Sequence, residues 1–178
     1  RWRGECGCRL DPSKPTQQKW RAVLRDALDE LAEDLHALFE REAGALLADP
    51  WAARDAYGSA FDQGDAARAR LVRDFAKRPL SPEEMARALQ LLEMERDALR
   101  MFTSCGWFFD DLSGLEPLQV LRYAGHALDL AGAPGREMES RLRRRLAAAL
   151  SNDPAKGSGA ALWDREVRGA ARAPAGGR

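Results

Sequence analysis

Cysteine, histidine and tyrosine are scarce in this chain of 178 residues, which has three, two and two of them. An odd and small cysteine count argues against a closed disulfide framework and fits a reducing compartment, so a cytoplasmic setting is expected. Net charge is also absent, because 28 Lys and Arg balance 28 Asp and Glu. The chain therefore carries no global electrostatic footprint for nucleic acid or an anionic membrane. No apolar run approaches the ~20 residues that span a bilayer. The opening Arg1-Trp2-Arg3-Gly4-Glu5 lacks the apolar segment of a signal peptide, and with no initiator Met it reads as part of something longer. A phosphate-cradling glycine loop is missing, and no Gly-x-Ser-x-Gly elbow surrounds Ser104. No segment alternates with period two, which leaves an all-α chain.

What is there is helical periodicity. Residues 1–15, with Gly4, Gly7, Pro12 and Pro15, have no helical period and are expected to form an irregular strap. From about Thr16, Trp20, Val23, Leu24, Ala27, Leu28, Leu31, Leu35, Leu38 and Phe39 recur at helical spacing. Arg21, Arg25 and a set of acidic residues fill the opposite face. Asp49-Pro50 stops this helix and starts a short one whose buried face is Trp51, Ala52, Ala56 and Tyr57. Gly64-Asp65 opens a third helix through Leu71, Val72 and Phe75. Ser81-Pro82-Glu83-Glu84 has the form of a capping box. The helix it starts runs to about Phe102, with Met85, Ala88, Leu89, Leu92, Leu99 and Phe102 inward. Glu116-Pro117 begins a fifth, carrying Leu118, Leu121, Tyr123, Ala124 and Leu128, and Met138, Leu142, Leu146 and Leu150 mark a sixth. A helical domain of about six helices over residues 16–151, in an orthogonal or bundle-like array, is expected. Residues 152–178 read as a flexible tail, within which Leu162, Trp163 and Val167 suit one docking turn.

Residues 101–114 are not explained by helix building. Trp107, Phe108 and Phe109 are consecutive, preceded by Cys105-Gly106 and followed by Asp110-Asp111. Consecutive aromatics cannot share one face, so some must point away from the local core. Aromatics beside carboxylates suit a sugar-stacking wall or a docking surface. The same residues equally suit a helix–helix corner that buries its aromatics and caps the next helix with Asp. Trp107, Phe108, Asp110 and Asp111 are the candidate substrate-binding residues. Asp110 and Asp111, being adjacent, point in different directions and make a poor acid–nucleophile pair.

Other clusters are weaker. Cys6-Gly7-Cys8 departs from the common Cys-x2-Cys zinc knuckle, and Cys105, His36 and His126 are remote in sequence. No metal or cofactor is expected, and the histidines read as rim or core residues. Arg136, Arg141, Arg143, Arg144 and Arg145 are interspersed with Glu137 and Glu139 and point in several directions, as on a solvated face.

Several stretches together carry a resemblance: Arg1 to Cys8, Gln18-Lys19-Trp20-Arg21, Asp49 to Tyr57, Arg100 to Asp111, and Gln119 to Ala124. In this order they resemble the C-terminal region of bacterial proteins related to glycoside hydrolase family 57, over about residues 1–150. The resemblance implies a helical domain of unknown function that follows a deformed (β/α)-barrel on the same polypeptide. It also implies that the catalytic Glu and Asp sit on that barrel, so no residue of this chain is assigned as catalytic. The helical region would pack on the barrel and help wall a carbohydrate cleft, with Cys105 to Asp110 as its contribution. A purely structural or protein-interaction domain is the alternative.

Overall fold

The computed structural model describes residues 4–169, in which all regular structure is helical apart from two isolated antiparallel bridges, Leu47 with Ala76 and Leu150 with Ser158. The chain is all-α. Seven α-helices follow one another among the described residues: α1 (Trp20–Leu46), α2 (Pro50–Phe61), α3 (Asp65–Phe75), α4 (Pro82–Arg100), α5 (Leu115–Ala131), α6 (Ala133–Leu146) and the short α7 (Gly159–Leu162). A 3-10 turn at Ser104–Trp107 joins α4 to α5, and a wide π turn at Trp163–Arg168 continues α7.

The start signals act as their chemistry dictates. Asp49 caps α2 by accepting the Ala52 amide at 2.9 Å. Ser81 and Glu84 exchange both bonds of a capping box, with the Ser81 amide on Glu84 at 3.0 Å and the Glu84 amide on Ser81 at 3.2 Å. Helix α1, at 27 residues, is roughly 40 Å long. It is the rod against which α4 and α6 pack, with further contacts to α2 and α5. Helices α4 and α5 share the most extensive packing, while α2 and α3 pair with each other and lean on α4. Leu24, Leu28, Leu31, Leu35, Leu38 and Phe39 bury the inner stripe of α1 against Leu91 and Leu92 of α4 and Leu121 and Leu128 of α5, in one continuous core.

Several sequence expectations shift. On α2 the buried residues are Ala53, Tyr57 and Ala60, with Trp51, Ala52 and Ala56 only half-buried. Leu99 was expected inward but is exposed, because α4 turns Ala98 and Met101 to the core instead. Leu150 lies beyond the end of α6, in an isolated bridge, and is exposed as well. Arg21, assigned to the solvent face of α1, is buried.

The largest shift concerns the residues after Ser151. Residues 152–169 are part of the packed body rather than a loose tail. Trp163 is fully buried, with Leu162 and Val167 beside it. The Trp163 indole donates to Glu139 at 2.9 Å, and Arg168 grips the same carboxylate at 2.7 Å while reaching Asp129 at 2.8 Å. Val167 comes so close to Gly125 that a Cβ there would meet it at 2.8 Å. A polar composition that looks too weak to fold locally is held by one Trp and one shared carboxylate. The expected flexible stretch 170–178 lies outside the described residues.

Candidate functional site

The strap, the loop after α4 and the turn after α6 meet at Asp110 and Asp111. The Asp110 carboxylate accepts the Leu10 amide at 2.8 Å and is 3.5 Å from Gln18 Nε2. Its backbone oxygen accepts the Trp20 indole N–H at 3.2 Å and Asn152 Nδ2 at 2.8 Å. Asp111 accepts the Ser113 amide at 2.8 Å, the Ser151 hydroxyl at 2.9 Å and the Asn152 amide. Burial works to raise the Asp111 carboxyl, but these hydrogen bonds outweigh it and hold the group below its usual range. Asn152 closes the joint by exchanging bonds with the Gln17 backbone at 2.8 and 3.1 Å.

Neither Asp caps the next helix, as one reading of the sequence expected. The N-cap of α5 is Gly114, which has no side chain to offer. The two carboxylates tie together segments distant in the chain, Asp110 reaching Leu10 across 100 positions and Asp111 reaching Ser151 and Asn152 across 40 and 41. Sequence reasoning missed the side-chain donors Gln18, Ser151 and Asn152, because no local pattern marks a polar residue whose partner is so distant.

The three aromatics divide as consecutive residues must. Trp107 is 0% exposed and Phe108 is 46% exposed. Phe109 is intermediate and meets Phe108 edge-on, with ring centroids 5.3 Å apart. Trp107 is driven inward by the 3-10 turn, where Gly106 lies against Val120 of α5 with no room for a Cβ. Its indole Nε1 is buried without a hydrogen-bond partner among the described residues. Trp107 therefore offers no face for stacking, which corrects its expected place in a sugar wall. Phe108 does offer one.

Phe108 and Asp110 line a cleft of about 190 Å3 together with Cys6, Cys8, Arg9, Leu10 and Arg21. Arg21 is held beneath it by the carbonyls of Phe108 and Phe109 at 3.1 and 2.9 Å. Its Nη1 lies 3.6 Å from the Cys6 sulfur. The buried Gln18 organises the strap, accepting the Cys6 amide at 3.1 Å and donating to the Cys8 carbonyl. None of the three cysteines is in a disulfide, and Cys105 is exposed on the 3-10 turn. No group of three or more His, Cys, Asp or Glu is placed to hold a metal ion among the described residues.

Both histidines rest on buried carboxylates of α4. His36 Nδ1 is 2.9 Å from Glu95, which is fully buried, and His126 Nδ1 bonds Asp97. The Glu95 hydrogen bond raises the His36 pKa against the opposing effect of burial. The basic run on α6 is distributed among ion pairs, Arg141 with Asp34 at 2.6 Å, Arg143 with Asp164 at 2.5 Å and Arg145 with Glu30 at 2.8 Å. No helix among the described residues is long and apolar enough to cross a membrane.

No curated protein and no solved structure matches this chain. A family model described as a domain of unknown function (DUF3536) matches residues 17–175, which begin at the strap–α1 joint and include α1 to α7. The chain belongs to this DUF3536 family.

Proposed function

We propose that this domain packs on the catalytic (β/α)-barrel of a glycoside hydrolase family 57-related protein, within one cytoplasmic polypeptide, through its strap–loop end. Phe108 and Asp110 then face the carbohydrate, while Trp107 and Asp111 hold them from beneath. The observation that carries this is the cleft, where an exposed aromatic stands beside a carboxylate over a buried guanidinium. An aromatic face with a few fixed polar groups is the usual composition of a sugar subsite. The resemblance of Arg100 to Asp111 to the family 57-related pattern supports the same place. So does the distribution of apolar surface. Among the described residues, Leu10, Phe108, Leu115 and Leu150 are four of the five large exposed hydrophobics, all on segments that converge on Asp110 and Asp111. Such surface suits burial against another domain.

The test uses the polypeptide carrying both barrel and helical domain, with reducing-sugar release from α-glucan and melting temperature read on the same samples. A stacked aromatic contributes ~0.5–1.5 kcal/mol beyond its area, so Phe108→Ala should lower kcat/KM by up to about tenfold. Asp110→Asn keeps an acceptor for the Leu10 amide and should lower turnover with little change in melting temperature. The isolated chain should release no sugar, because the acid pair belongs to the barrel. Unchanged turnover in both variants would remove the cleft from the reaction. The complete burial of Trp107 favours a second reading, a docking domain without a part in the cleft. Phe108→Ala then lowers the melting temperature of the two-domain polypeptide and leaves turnover per folded molecule as it was.

A further inference from the structure

We propose that Cys6 and Cys8 form a redox-active dithiol in which Cys6 is the nucleophile, and that a small hydroperoxide entering the strap cleft converts the pair to a disulfide. The inference stands on the strap's own geometry and does not rest on the barrel-docking reading. Gly7 has φ +71°, a left-handed turn that a glycine adopts without strain. That turn folds the strap so that Cys6 and Cys8 line the same cleft. Arg21 Nη1 stands 3.6 Å from the Cys6 sulfur. The guanidinium is not free to leave, since its Nη2 is fixed to two backbone carbonyls. Gln18 Oε1, 3.6 Å from the sulfur and 3.1 Å from the Cys6 amide, locks the residue in place.

The Cys6 pKa is lowered by the Cys8 amide first, then, against the opposing effect of burial, by the Cys8 thiol and the Arg21 guanidinium. Both residues line the cleft, Cys8 exposed and Cys6 partly so, which leaves a way in for a molecule of peroxide size. Cys105 is different. Its exposed thiol has no hydrogen bond or ion pair among the described residues.

The chemistry balances in two steps. The Cys6 thiolate attacks one peroxide oxygen, the O–O bond breaks, and the departing oxygen takes up a proton to leave as water or an alcohol. Cys6 is then a sulfenic acid. The Cys8 sulfur attacks the Cys6 sulfur, the S–O bond breaks, and the hydroxyl leaves as water with the Cys8 proton. The two thiols together supply the two electrons that reduce the peroxide.

The full chain is tested with hydrogen peroxide and with limiting iodoacetamide at neutral pH, followed by peptide mass analysis. Alkylation of Cys6 should outpace that of Cys105 by roughly tenfold. Peroxide should remove two hydrogens from the peptide holding Cys6 and Cys8. In Cys8→Ser the reaction should stop at a Cys6 sulfenic acid that dimedone traps. Arg21→Lys, which keeps the charge but not the fork, should slow Cys6 by several-fold, and far-ultraviolet dichroism reports whether that variant folds. Cys8→Ser leaves the buried core untouched and decides the matter if Arg21→Lys does not fold. Equal labelling of Cys6 and Cys105, or no dimedone on Cys6 in peroxide-treated Cys8→Ser, overturns the proposal.

Discussion

Replacing Trp107 with Ala removes a side chain with no exposed surface and leaves a cavity behind the 3-10 turn. The loss should be about 3–5 kcal/mol of unfolding free energy. The same change at Phe108 removes a side chain that is nearly half exposed, and should cost about 1 kcal/mol in the isolated domain. Urea denaturation of the two variants checks both values, and equal destabilisation would contradict the division between them. At Asp111 the expectation follows from its donors. Asp111→Ala leaves the Ser113 and Asn152 amides and the Ser151 hydroxyl without their acceptor, which costs about 1–3 kcal/mol. Because the folded carboxyl is held below its usual pKa, its contribution is present above the unfolded value near ~3.9 and is lost as pH falls through the folded one. The acid limb of a stability–pH curve should therefore flatten in Asp111→Asn.

At the scale of elements, α4 is the helix on which two charges are buried. Glu95 has no exposed surface and its partner is His36 of α1, whose ring also packs edge-on against Trp51 of α2 at 5.5 Å. The pair thus joins three helices. Its pH dependence has the opposite sign to that of Asp111. The His36 pKa is raised in the fold, chiefly by its hydrogen bond to Glu95, so its stabilisation is complete below the unfolded value near ~6.5 and is lost as pH rises through the folded one. Melting temperature should fall over that interval in the parent, and this fall should shrink in His36→Gln. His36→Ala leaves the buried carboxylate unpaired, at a loss on the order of 3–5 kcal/mol. The periodic stripes of α1 and the capping signals of α2 and α4 were readable because both ends of each interaction lie within one turn of helix. The Glu95 and Asp97 pairings were not, since their histidines lie 59 and 29 residues away.

At the scale of the whole molecule, the chain closes on itself through its last described segment. Asn152 bonds Gln17, just before α1, and the Asp110 carbonyl, while Trp163 and Val167 cover α5 and α6. A chain ending at Ser151 should be strongly destabilised against one ending at Gly169, because the buried Trp163 alone is worth about 3–5 kcal/mol. A melting temperature unchanged by that shortening would show the segment to be an accessory. Sequence alone determined the all-α class, the helix starts at Asp49 and Ser81, the irregular strap, and the necessity that three consecutive aromatics diverge. Each of these rests on interactions between residues close in the chain, or on the geometry of a single helix. Only the tertiary structure decided which aromatic is buried, why Arg21 leaves the solvent face, and that Asp110 and Asp111 are joints between distant segments rather than caps. The physical reason is the same in each case: a side chain's role there is set by a partner that local periodicity does not encode.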